Sequence, residues 1–257
     1  MKKIVTIFIL TFSMLKGADL YVGAGIYSQT QPYIGAENIN QLSPVIFYDN
    51  SLFYIRWSRA GLYFLGESSD QFSWGASITA QPQIIGYYKE RSLTQIGKSS
   101  SDMLDGLDDK KSSWEAGLAL AGSYEDIFAE VVALQDIGSE SNGLKLRAEV
   151  GLSYQVNKDL LFVPSVLAIW LSKEFSNYYF SVNDQEVDLS LGRTYYKADA
   201  ALNLAAQTYM KYSFNSSYHA LLNIRADYLD STIQDSPLVD KHYIFSGLIS
   251  LIYLYEL

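Results

Sequence analysis

The stretch that decides the fold is Asn142-Gly143-Leu144-Lys145-Leu146-Arg147-Ala148-Glu149-Val150-Gly151-Leu152-Ser153-Tyr154. Leu144, Leu146, Ala148, Val150, Leu152 and Tyr154 alternate with Lys145, Arg147, Glu149, Gly151 and Ser153. A period of two puts the apolar side chains on one face and the charged ones on the other, which is the pattern of a β-strand. Strands of soluble sandwiches usually end after about 5–6 residues. Crossing a bilayer takes roughly 9–11 tilted strand residues. The run from 142 to 154 therefore reads as a membrane-crossing strand, apolar face to lipid and charged face to a lumen.

Two further stretches repeat the pattern. In Gln71–Pro82, Phe72, Trp74, Ala76, Ile78, Ala80 and Pro82 oppose Gln71, Ser73, Gly75, Ser77, Thr79 and Gln81. In Tyr218–Tyr228, Tyr218, Ala220, Leu222, Ile224, Ala226 and Tyr228 oppose His219, Leu221, Asn223, Arg225 and Asp227. Aromatic residues recur at the ends of such runs (Trp74, Trp114, Tyr124, Trp170, Tyr196, Tyr212, Tyr243 and Tyr255 among them). Aromatic girdles at both interfaces are expected of outer-membrane barrels.

Read backward from the C-terminus, strands are predicted near 243–256, 217–229, 195–213, 159–172, 142–155, 127–137, 114–124, 70–86, 60–66, 52–58, 40–48 and 19–29. The fold class is thus all-β, an antiparallel transmembrane β-barrel of about twelve strands. Ten strands is the alternative count, and it hinges on Arg56-Trp57-Ser58-Arg59-Ala60-Gly61. As a tight turn this segment separates two strands; as a glycine kink it continues one. With the C-terminus in the periplasm, the segments 87–113, 173–194 and 230–241 become long extracellular loops. The opposite connections are short, as the architecture requires.

Composition agrees. Of 257 residues, 49% are apolar and only 18% charged, with 21 Tyr, against about 25% charged in ordinary soluble domains. Net charge is −9, which weighs against nucleic-acid binding, since that needs Lys and Arg to neutralise phosphates. With no cysteine, disulfides, thiolate metal sites and a cysteine nucleophile are excluded. Lys2 and Lys3, the apolar run Ile4–Leu15 and Lys16-Gly17-Ala18 read as a secretory signal peptide over 1–17. The domain reading is a signal followed by one barrel, 18–257, exported to the outer membrane of a Gram-negative bacterium.

The predicted lumen face carries Arg56, Glu115, Lys145, Arg147, Glu149, Lys197, Asp199, Arg225 and Asp227. Mixed signs in a narrow lumen suggest an ion-paired plug, or alternatively a selective solute channel. No catalytic constellation emerges. His219 faces inward without an acidic neighbour, and His242 follows Asp235, Ser236 and Asp240. A histidine beside carboxylates can serve as a general base, but on a loop it is more often solvated. Asp102, Asp105, Asp108 and Asp109 lack the spacing of a calcium loop, so no metal or cofactor is expected.

With these residues in view, the chain resembles the MltA-interacting protein (MipA/OmpV) family of outer-membrane proteins. Gly23-Ala24-Gly25 followed by Pro32-Tyr33-Ile34-Gly35 and Pro44 is similar to the family's opening. Leu104-Asp105-Gly106-Leu107-Asp108-Asp109, then Ser113-Trp114-Glu115-Ala116-Gly117-Leu118, resembles its Gly-Leu/acidic loop entering a strand through Glu-x-Gly. Pro164 to Trp170 with Asn177-Tyr178-Tyr179-Phe180-Ser181-Val182, and Asp235-Ser236-Pro237-Leu238-Val239 with Phe245-Ser246-Gly247-Leu248, follow in the family's order. The ending Tyr255-Glu256-Leu257 departs from the family's terminal aromatic. The resemblance implies a non-enzymatic scaffold or an adhesin set in outer-membrane lipid. A lytic murein transglycosylase and a penicillin-binding protein are the implied partners.

Overall fold

The computed structural model describes residues 19–69, 71–86, 104 and 106–256. The expected signal segment 1–17, and Asp102 and Asp105 of the acidic loop, lie outside the described residues. The strands are β1 (Asp19–Gln29), β2 (Ile39–Asp49), β3 (Phe53–Arg56), β4 (Arg59–Ser68), β5 (Phe72–Gln83), β6 (Ser113–Tyr124) and β7 (Ile127–Asp136). They continue as β8 (Leu144–Leu152), β9 (Tyr154–Gln155), β10 (Leu160–Leu171), β11 (Ala201–Ser213), β12 (Tyr218–Tyr228) and β13 (Tyr243–Glu256). Each pairs antiparallel with its neighbours, and β13 closes on β1 from Asp19↔Glu256 to Gln29↔Ser246. Both β8 and β9 pair with β10. They are one stave broken at Ser153, so the thirteen stretches form a closed twelve-stranded barrel.

The ambiguous hexapeptide is a tight turn. Arg56 faces Arg59 across it, and Trp57 takes a positive φ of 53°. Three contacts hold that strained residue. Its amide donates to the Ile46 carbonyl (2.9 Å), its indole N–H donates to Ser43 Oγ (2.9 Å), and its ring lies 5.2 Å from that of Tyr27.

The alternation seen in the sequence becomes the wall. Ile78, Leu118, Val150, Ile224 and Ile249 are exposed on the outside, whereas Ser77, Thr79, Glu115, Asn223 and Ser250 are buried inside. The short connections at one end are built on Asx turns. Asn50 Oδ1 accepts from the amides of Leu52 and Phe53, Asn157 Oδ1 from Asp159 and Leu160, and Asn215 Oδ1 from Ser217 and Tyr218. Exposed Tyr124, Tyr154, Tyr212, Tyr218 and Tyr255 ring that end.

At the other end the long connections fold into a lid. Helix α1 (Lys173–Phe180), N-capped by Ser172, and the short α2 (Ser231–Gln234), N-capped by Asp230, lie over the mouth. Tyr33, Leu107, Phe175, Tyr179, Phe180, Val182, Ile233 and Leu238 form its buried centre, with Tyr33 stacked on Phe180 at 5.8 Å. Two placements are corrected here. Strand β11 begins at Ala201, so Lys197 and Asp199 are exposed loop residues instead of lumen residues. The extended chain ahead of Ala201 finds its partners in the lid: Tyr196 bridges Val182 and its hydroxyl donates to the Thr232 carbonyl (2.6 Å). Alternation persisted there without a wall strand on either side.

Candidate functional site

The site is the lumen, and Glu130 is its centre. It projects inward from β7 between the lipid-facing Ala129 and Val131 and is 4% exposed. Arg59, from the start of β4, donates to both of its oxygens, at 2.9 and 2.6 Å. Arg147 of β8 donates at 2.5 Å, and Arg56 of β3 lies 3.8 Å away. One carboxylate thus joins β3 and β4 to β7 and β8 across the lumen. Charge-assisted, bidentate pairs of this kind are the strong hydrogen bonds of proteins.

Around this brace the other charges are also matched. Arg56 donates to Asp49 (3.1 Å) and to the Tyr63 hydroxyl (2.7 Å), and Tyr63 donates to Asp49 (2.8 Å). The Arg56 guanidinium also lies over the Tyr54 ring, 4.3 Å from its centre. Lys145 donates to Gln83 Oε1 (2.7 Å) and pairs with Glu115 (2.8 Å), which also accepts from Gln81 (3.2 Å). Arg225 grips Asp227 two residues along its own strand, at 2.8 and 2.5 Å. Glu149 accepts from Ser165 (2.8 Å) and Gln207 (2.7 Å).

Of the nine charged residues expected in the lumen, the structure places Arg56, Glu115, Lys145, Arg147, Glu149, Arg225 and Asp227 there. Sequence reading omitted Arg59, Asp49 and Glu130. Arg59 was hidden in the ambiguous turn. Glu130 has mostly apolar neighbours on its own face (Phe128, Val132 and Leu134), which masked the alternation. The signal was a lone carboxylate flanked by Ala129 and Val131 within a strand.

The family-motif loop serves the lid. Leu104 and Leu107 are buried in the lid core, and Gly106 takes a φ of 83°. The Asp108 amide donates to Glu186 (3.4 Å); Asp109 lies exposed beyond it. At the entry to β6, Glu115 takes its place in the charge network, and Gly117 provides clearance: a Cβ there would sit 1.8 Å from the Ala133 carbonyl oxygen.

The two histidines sit in different surroundings. His219 Nδ1 lies 2.9 Å from Ser213 Oγ, beside the Tyr21 ring at 5.4 Å. His242 is exposed. The Ser236 hydroxyl, a candidate partner in sequence, instead donates to the Phe180 carbonyl at 2.6 Å. Among the described residues no cluster of three or more His, Cys, Asp or Glu could hold a metal ion.

Within the lumen lies a chamber of about 340 Å³, bounded by Leu161, Lys211 and Leu221 toward the short-turn end and by Leu171, Phe175 and Leu229 toward the lid. Its apolar lining includes Trp57, Ile85, Ile169, Leu171, Phe175 and Ile244; Arg59, Lys145, Arg147, Arg225, Glu130 and Glu149 face it as well.

Comparison with known proteins places the chain in a family. The family model described as MltA-interacting protein MipA matches residues 22–255. The MltA-interacting protein of Escherichia coli (strain K12) is 28% identical over 232 residues, covering 89% of this chain and 86% of that one. Outer membrane protein YiaT of the same strain is 24% identical over 248 residues, with 95% of each chain covered. Among solved structures, an outer membrane channel from Pseudomonas putida F1 covers 95% of this chain and 97% of its own, at 12% identity and a TM-score of 0.46. The closed barrel, the two-faced strands and a family match over nearly the whole described chain lead to one assignment: this outer-membrane β-barrel belongs to the MltA-interacting protein family.

Proposed function

We propose that the barrel is a non-enzymatic scaffold that holds a lytic murein transglycosylase at the inner surface of the outer membrane, together with a penicillin-binding protein. The observation that carries this reading is the family match over residues 22–255, with a relative named for its interaction with MltA. The lumen supports it. A carboxylate bound by arginines from β3, β4 and the adjacent β8 braces the barrel and weighs against the alternative of a narrow solute channel. The docking face is the end with short turns, where Leu52, Val156 and Phe214 are exposed beside Glu125 and Asp126.

The test is crosslinking in intact cells, detergent extraction of the outer membrane and identification of the crosslinked species. Recovery of a murein transglycosylase, lost when Leu52, Val156 and Phe214 are replaced by Ser, is the expected result. A barrel recovered alone overturns the scaffold. Crosslinks confined to the lid and to external ligands would assign the adhesin role instead. Discrete single-channel conductance steps in planar bilayers, shifting when Arg147 or Arg225 is neutralised, would restore the channel reading.

A further inference from the structure

Among the described residues the barrel wall is incomplete on one side. β3 has four residues, and its ladder with β2 covers only Phe47–Asp49; the Trp57 amide adds one bond to Ile46. On the far side, β4 pairs with β5 no further than Ala60↔Ala80. Among the described residues, β2 from Ile39 to Val45 therefore has a strand neighbour only in β1. Above the Trp57-Ser58 turn a notch separates β2 from the upper end of β5.

Three observations show that the notch is real at the level of side chains and main chain. Leu42, on the lipid face beside it, is 78% exposed, against 60% for Ile26 on the fully paired β1. Because Ile46 directs its carbonyl to the Trp57 side, strand alternation directs the main-chain groups of Pro44 and Leu42 to the same edge. Pro44 has no N–H to leave unpaired there, the usual protection of a strand edge. Finally, the chamber reaches the notch: Ser58, which is exposed, and Pro82, on the outward-facing register of β5, both line it. Unpaired backbone at membrane depth is tolerated where it borders protein or a wet cavity, and the chamber is that cavity.

The chamber's chemistry has a direction. Among the described residues, its two buried side-chain atoms without a hydrogen-bond partner, Arg147 Nε and Gln83 Nε2, are both donors. Lys145 Nζ sits against Gln83, and six cationic side chains face the chamber against three anionic ones. Buried donors left unpaired are costly, so the complementary ligand presents acceptor oxygens. The remaining walls are largely apolar, and Leu42 stands exposed on the outer face beside the notch. We propose that the chamber binds an amphiphile with an anionic carboxylate or phosphate head at Lys145, Gln83 and Arg147, its alkyl chain entering from the membrane through the notch between β2 and β5. The volume lies at the small end of ligand pockets, which suits a single medium-length chain.

This site is independent of the scaffold reading, and its test uses no murein enzyme. The full barrel, reconstituted in lipid nanodiscs, is photolabelled with a diazirine-bearing dodecanoate, and the labelled positions are mapped by mass spectrometry. Saturable labelling is expected on Trp57, Ile169 or Phe175, competed by dodecanoate or by dodecyl phosphate and not by dodecanol. Whichever of the two anions competes better identifies the head group. Arg147→Gln, verified as folded by its heat-modifiable gel mobility, should weaken competition by about tenfold. Because the chain has no cysteine, Ser58→Cys can be capped with a bulky maleimide at the notch alone. The cap should abolish chamber labelling, whereas the same cap on Leu118→Cys, on the lipid face of β6, should not. Labelling restricted to lipid-facing residues, equal competition by dodecanol, or unchanged labelling of the capped Ser58→Cys barrel would each overturn the proposal.

Discussion

Arg59 and Glu130, 71 residues apart in sequence, meet fork to fork inside the barrel with N–O distances of 2.9 and 2.6 Å. The pair ties the shortest hairpin of the wall to β7, three strands away. It holds in place the turn whose tip forms the lower border of the notch. The charge network and the gap in the wall are thus parts of one arrangement.

Removing the centre of the brace should be expensive. Glu130→Gln leaves the Arg59 and Arg147 guanidinium groups uncompensated, and breaking one side of a buried ion pair costs about 3–5 kcal/mol. The expected outcome is a large drop in the denaturant midpoint of the refolded barrel. Adding Arg59→Gln should recover part of the loss, since the double variant buries one charge fewer. Strictly additive losses would show that the two side chains do not interact in the folded state.

The two faces of a strand should respond differently to charge. Ile78→Arg, at the middle of β5 on the lipid face, should cost about 2–4 kcal/mol, and Leu146→Arg, close to the outer end of β8, distinctly less. Ser77→Ala removes only the hydroxyl contact with Tyr54 (3.1 Å), worth about 1 kcal/mol. Replacing Lys145 should cost more than Ser77→Ala, because its loss would strand the buried Glu115. Unfolding free energies in lipid vesicles measure all four.

Gly117→Ala tests the Glu-x-Gly motif. The added methyl would overlap the Ala133 carbonyl oxygen at 1.8 Å, and backbone on the neighbouring strand cannot swing aside as a flexible side chain can. Loss of the heat-modifiable folded form is the expected result. A variant that folds at wild-type yield would mean that β6 and β7 separate easily at this point.

The lid should loosen in acid. Burial opposes the charge on Asp230, yet hydrogen bonds from the amides of Leu202 (3.0 Å) and Thr232 (2.8 Å) hold its carboxyl below the usual range. A depressed folded-state value contributes stability above the unfolded carboxylate range of about 4, lost as pH falls through the folded value. Protease nicking of the outer loops should therefore increase below about pH 4. Asp230→Ala should produce it at neutral pH, at a capping cost of about 1 kcal/mol. Identical digestion of both proteins across pH would exclude this role.

The class of fold, the face of each long strand and most of the lumen charges are legible along the chain alone. Period-two alternation is a local property, and lipid outside with charge inside leaves one consistent reading of Leu144–Tyr154 or Phe72–Pro82. The Asx turns at Asn50, Asn157 and Asn215 are local in the same way. Tertiary structure decided what depends on partners distant in the chain. Trp57-Ser58 turns instead of kinking because Ile46, Ser43 and Tyr27 hold it. Lys197 and Asp199 leave the lumen because Tyr196 finds Val182 and Thr232 in the lid. Glu130 becomes the hub because the curvature of the wall brings β3 and β4 within reach of it, beside Arg147 on the adjacent β8. The notch exists only in the assembled wall, since whether a strand edge is paired is a property of its neighbours.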